Sequence, residues 1–128
     1  MKKLGFGMMR LPLCDPNDNS SIDFETTCKM VDRFLEKGFT YFDTAYVYPG
    51  SEAALGEILE RNGIRDQVNI ATKLPHYMVK KPDSIENFFA EELKRLRTDH
   101  VEYYLMHMLN DADKWQDMLA MGVEDWIK

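Results

Sequence analysis

Asp43, Tyr48, Lys73 and His107 are the residues of this 128-residue chain whose types and spacing suit chemistry. Asp43 closes an apolar run, and Tyr48 follows five residues later in Phe42-Asp43-Thr44-Ala45-Tyr46-Val47-Tyr48. Lys73 closes the next apolar run and His107 the one after that. A phenol ordinarily ionises near pH ~10 and is a poor acid at neutrality. An ammonium a few ångströms away favours the phenolate, and a carboxylate beside the ammonium keeps it charged and oriented. An imidazole can hydrogen-bond a carbonyl oxygen and fix its angle. Together such groups can give a carbonyl oxygen its proton as hydride reaches the carbon, and a positioned general acid is worth roughly 10²- to 10⁴-fold. No side chain supplies hydride, so this chemistry requires a cofactor.

Each residue also has a plainer reading. Asp43 with Thr44 can cap a turn, and Tyr48 before Pro49-Gly50 can be a loop aromatic. Lysines at strand ends usually face water. A histidine after an apolar strand, like His107 between Met106 and Met108, is commonly structural. Joint placement at consecutive strand ends sets the four apart, because strand ends carry the chemistry of β/α barrels. His76 and His100 show no ligand spacing with His107, so no metal site is expected.

The elements that must position these groups read as strand–helix alternation. Residues 4–11 form a short apolar run with two glycines and read as a buried strand entering a turn-rich loop over 14–21. Asp23 is an N-cap candidate for a helix through Phe24, Cys28, Val31, Phe34 and Leu35, ended by Gly38. Residues 39–42 give a second strand. Ser51 is the expected cap of a second helix, with Leu55, Ile58 and Leu59 as its stripe and Asn62-Gly63 as its stop. Residues 67–73 form the third strand. Asp83 and Glu86 offer a capping box for a third helix lined by Ile85, Phe88, Phe89, Leu93 and Leu96. Residues 101–106 form the fourth strand. Residues 111–128 look helical in two pieces separated by Gly122. The order implies a parallel sheet.

Composition excludes several classes. The chain carries a net charge of −6 and is 45% hydrophobic, a globular balance without the clustered basic residues that nucleic acid or anionic membranes require. No apolar run is long enough for a bilayer and no signal peptide is visible, so neither a nucleic-acid nor a membrane partner is expected. Two cysteines, Cys14 and Cys28, make no disulfide framework, and a reduced, cytoplasmic setting is expected.

At these residues the chain resembles the aldo-keto reductase family. Leu4-Gly5-Phe6-Gly7-Met8-Met9-Arg10-Leu11-Pro12 is similar to that family's first barrel strand. Gly38-Phe39-Thr40-Tyr41-Phe42-Asp43-Thr44-Ala45-Tyr46-Val47-Tyr48 resembles its signature, and Ser51-Glu52-Ala53-Ala54-Leu55-Gly56 its S-E-x-x-L-G. Ala71-Thr72-Lys73 resembles the lysine strand, and Asp99-His100-Val101-Glu102-Tyr103-Tyr104-Leu105-Met106-His107 the histidine strand. More loosely, Leu105-Met106-His107-Met108-Leu109 with Trp115 and Gly122 resembles a bacterial branch whose members often carry an iron–sulfur C-terminal domain.

The resemblance implies an α/β fold, with residues 1–128 as the N-terminal half of a (β/α)8 TIM barrel: four strands, three helices and the start of a fourth. It implies reduction of aldehydes or ketones with NADP or NAD. Tyr48 is then the proton donor, Lys73 its activator, Asp43 the partner of Lys73, and His107 the orienter of a small carbonyl substrate. Gly7, Met8, Met9 and Asp43 match positions beside the nicotinamide. Most of the cofactor site is expected beyond residue 128, since complete barrels run to about 250 residues. Gly5-Phe6-Gly7 lacks the third glycine and following helix of a dinucleotide fingerprint.

Four open strands are also expected to leave two unpaired edges and an uncovered inner face, with Phe6, Phe42, Ile70 and Leu105 partly meeting water. Such a surface calls for a homodimer or for the remaining C-terminal half. The helical ending suggests a truncation. The alternative to an oxidoreductase is a non-catalytic half-barrel remnant serving assembly or partner binding; occupancy of all four catalytic positions argues for the enzyme.

Overall fold

A computed structural model describes residues 2–128. The strands are β1 (Gly5–Gly7), β2 (Tyr41–Asp43), β3 (Asn69–Leu74) and β4 (Tyr103–Met106). They form one parallel sheet in sequence order. Helices α1 (Phe24–Glu36), α2 (Ser51–Asn62) and α3 (Asp83–Leu96) connect them, and α4 (Ala112–Ala120) and α5 (Val123–Ile127) follow β4. This is the β/α succession of half a TIM barrel. β1 is shorter than the run 4–11 that contains it, and β2 begins two residues later and ends one residue later than the expected 39–42. Beyond Gly7 the chain turns into a loop that closes on itself through a bridge between Leu13 and Ile22.

One face of the sheet is dry. Phe6, Phe42 and Ile70 stand in register across β1, β2 and β3 and pack against Val31 and Phe34 of α1 and Leu55, Ile58 and Leu59 of α2. Phe34 sets its ring edge-on to Phe6 and Phe42, at 5.4 and 5.2 Å between centroids. A second cluster joins Leu74 to Ile85 of α3, Met118 of α4 and Val123 of α5. Of these three, Phe42 and Ile70 are fully buried, which corrects the expectation that they partly meet water, while Phe6 is only half-buried, as expected. Side chains alternate along a strand, and these three point to the helices. The opposite residues, Tyr41, Tyr103 and Leu105, take the inner face. Tyr103 and Leu105 are 44% and 41% exposed there, and the Tyr41 and Tyr103 rings meet at 5.6 Å.

Asp23 caps α1 by accepting from the Thr26 amide at 3.0 Å. The other two expected caps are not formed. α2 starts from Gly50, whose φ of +69° a side chain would strain. Ser51 turns inward instead, and its hydroxyl donates to the Met8 carbonyl at 2.9 Å beside the Thr44 hydroxyl at 2.7 Å. α3 starts after Pro82 without a side-chain cap, and Glu86 accepts from the Trp126 indole of α5 at 2.7 Å. In both cases a tertiary partner takes the polar group that a local cap would have used. α2 and α3 touch at Gly56, where a Cβ would lie 2.5 Å from the Arg95 carbonyl oxygen. No helix among the described residues is long and apolar enough to cross a membrane.

Candidate active site

The C-terminal ends of the four strands converge. Asp43 is the last residue of β2, Lys73 the penultimate residue of β3, and His107 follows β4 directly. The Lys73 ammonium lies 2.9 and 2.8 Å from the two Asp43 carboxylate oxygens and 2.6 Å from the Thr44 carbonyl. It donates to three acceptors, which leaves little freedom in its direction. Tyr48 arrives from the loop between β2 and α2. Its ring centroid is 5.0 Å from the Lys73 nitrogen and 5.7 Å from the His107 ring, which meets it edge-on. All four sequence-predicted residues are thus brought together by elements far apart in the chain.

A cleft of about 440 Å³ opens in front of them. Tyr48 and His107 line it, whereas Asp43 and Lys73 are not among its lining residues. His107 is buried and its Nδ1 has no partner. Burial, and then the nearby Lys73 charge, hold its imidazole below the ordinary range, so the ring is neutral at neutral pH. A neutral imidazole keeps one N–H to donate and one nitrogen to accept.

The predicted cofactor residues divide. Gly7 has nothing within 4 Å of where a Cβ would stand, and Met9 is exposed at the cleft. Met8 also lines the cleft, though its side chain is largely buried, and its amide donates to the Asp43 carbonyl at 2.8 Å, holding β1 to β2.

Several residues of the site were not singled out from sequence. Tyr77 lines the cleft, and its ring lies 6.1 Å from His107. His76, beside it, is buried with an unpartnered Nε2. Both sit on a short 3-10 turn, His76–Met78, just past Lys73, and Pro75 was the available signal that the chain bends there. Behind the site, Arg95 of α3 bonds the Tyr46 carbonyl and buried Glu52, with no local signal at all.

A sequence model described as the aldo/keto reductase family matches residues 3–125. The chain is 34% identical to norsolorinic acid reductase of Emericella nidulans, over 74% of this chain and 28% of that protein. It is also 34% identical to methylglyoxal reductase DkgB of Salmonella typhi, over 73% of this chain and 33% of that one. The fold superposes on an aldo/keto reductase from Brucella melitensis with a TM-score of 0.66 and 25% identity, covering 94% of this chain and 42% of the other. It superposes on a Klebsiella pneumoniae aldo-keto reductase solved with NADPH with a TM-score of 0.67 and 21% identity, covering 92% and 41%. The chain spans between 28% and 41% of the length of the curated relatives it matches. With its four parallel β/α units and a family match across nearly its whole length, the chain belongs to the aldo/keto reductase family.

Proposed function

We propose that this chain carries the proton-donating half of a nicotinamide-dependent reductase of small aldehydes or ketones. The observation that carries this reading is the contiguous row Asp43–Lys73–Tyr48–His107 at the strand ends, with the last two open to the cleft. Tyr48 gives its phenolic proton to the carbonyl oxygen. Lys73, held by Asp43 and the Thr44 carbonyl, stabilises the negative charge that develops on the phenol oxygen. His107, kept neutral by burial, donates its N–H to the same oxygen and sets the angle of the carbonyl. Bound NADP or NAD in reduced form supplies the hydride that the carbon receives. Gly7, Met8, Met9 and Asp43 are the residues of this chain that would hold the nicotinamide, with most of its site expected beyond residue 128. NADPH bound to the Klebsiella relative supports a nicotinamide, and the names of the relatives support a carbonyl substrate.

The inner face bearing Tyr103 and Leu105 belongs, on this reading, against further barrel or a second copy of the chain. Mass measurement in solution distinguishes the two. For the activity, NADPH is titrated into the purified protein with its fluorescence as readout, and reduction of a reactive aldehyde is assayed. Turnover that falls by roughly 10²- to 10⁴-fold in Tyr48→Phe supports the reading. No binding at millimolar NADPH overturns it for this form of the chain and leaves a half-barrel used for assembly.

A further inference from the structure

Tyr48 stands on a loop, yet its ring must keep a fixed place over Lys73. Nothing in the loop itself does this. Tyr48's own amide bonds only to the Ala45 carbonyl at 3.2 Å, and its carbonyl accepts from the Ser51 amide at 3.1 Å. The firm attachment is two residues earlier. The Arg95 guanidinium lies 4.2 Å from the centre of the Tyr46 ring, and Phe88, also on α3, meets that ring edge-on at 4.9 Å. Arg95 Nη1 donates to the Tyr46 carbonyl at 3.1 Å, so both ring and backbone of Tyr46 are anchored to α3.

The same guanidinium reaches the strand that carries the lysine. Nη1 also donates to Glu52 Oε1 at 3.3 Å, and Nε donates to Glu91 at 3.3 Å. Glu52 is almost wholly buried, and its other oxygen accepts from the Thr72 hydroxyl at 2.8 Å. Thr72 is the neighbour of Lys73 on β3. A planar, delocalised cation suits this arrangement, since it can stack on a ring and hydrogen-bond in its plane at once.

We propose that Arg95 is a positioning residue for Tyr48: through Tyr46 on one side and Glu52–Thr72 on the other, it sets the phenol's loop against the strand of Lys73. The proposal rests on the reading of Tyr48 as proton donor. A loop shifted by about 1 Å can cost on the order of 10²-fold in rate.

The test labels the protein with 3-fluorotyrosine and identifies the Tyr48 fluorine resonance by its loss in Tyr48→Phe. In the parent protein, Lys73→Met moves this resonance, because the ammonium is close to the ring. In Arg95→Met the resonance broadens and no longer responds to Lys73→Met, while the resonance of Tyr103, on the inner face of the sheet beside Tyr41, stays in place. Arg95→Met leaves Glu52 buried beside no cation, so Arg95→Met/Glu52→Gln is made as well, which removes both charges. A Tyr48 response still missing in the double variant supports positioning. A response unchanged in Arg95→Met, or restored in the double variant, overturns it, since Arg95 would then only balance Glu52. Turnover is read separately: kcat falls on the order of 10²-fold with KM held within about twofold. If the parent protein turns over no aldehyde while the fluorine response behaves as described, carbonyl reduction fails and the positioning role stands.

Discussion

Lys73 and Asp43 sit side by side on neighbouring parallel strands, and the ammonium touches both carboxylate oxygens at 2.9 and 2.8 Å. Asp43 pairs with Ala71 in the sheet register, so Lys73 reaches it from two residues further along β3. The lysine is 13% exposed, which makes it a charge that needs its partner. Asp43→Ala is expected to lose about 1–3 kcal/mol of stability, the usual cost of a buried polar group left without a partner. Denaturant unfolding of the two proteins checks this, and equal midpoints would show the pair to be structurally idle.

At Gly56 of α2 a Cβ would stand 2.5–2.8 Å from the backbone of Arg95 and Leu96 of α3. Backbone cannot rotate away as a side chain would. Gly56→Ala is therefore expected to destabilise by about 1–3 kcal/mol despite alanine's better helix propensity. A higher melting temperature for this variant would contradict the packing seen here.

Glu92 of α3 is fully buried with one oxygen unpartnered, and the other lies 3.3 Å from the Tyr104 hydroxyl of β4. Burial first, and the neighbouring Glu52 of α2 second, push its carboxyl up to about 9, against the weaker pull of the Thr72 hydroxyl and of Arg95. Its folded value lies above the unfolded one of 4.5, so the folded protein holds a proton that the unfolded chain releases between the two. The stabilisation is complete below pH 4.5 and is lost as pH rises through about 9. Glu92→Gln, which keeps the shape without the titration, is expected to flatten the alkaline fall of the melting temperature. Parallel profiles for the two proteins would place the proton elsewhere.

His107 behaves with the opposite sign. Burial and then Lys73 depress its value below the ordinary 6.5, partly offset by Asp43. The unfolded chain then takes up a proton before the folded protein does. Stability from this group is present above pH 6.5 and is lost as pH falls through the lower folded value. Proton NMR of the His107 ring should give a midpoint below 6.5 that rises when Lys73 is changed to Met. A midpoint at or above 6.5 would mean that the ring is wetter than its burial implies.

The sequence was enough for the order of strands and helices, for the end of α1 at Gly38 and of α2 at Gly63, and for four chemically apt residues at strand ends. These follow from local causes: apolar periodicity, glycine's freedom at positive φ, and short motifs whose spacing is set along the chain. It misjudged the burial of Phe42 and Ile70, because alternation gives two faces without saying which one the helices cover. It took Ser51 and Asp83 as caps, whereas Ser51 bonds Met8 across 43 positions and α3 begins uncapped after Pro82. Tertiary structure alone decided that Arg95 lies against Tyr46, that Tyr77 and His76 flank His107, and that Glu92 is sealed beside Glu52. Such contacts join residues tens of positions apart, and they form only when parallel strands and their covering helices bring distant side chains into one dry layer.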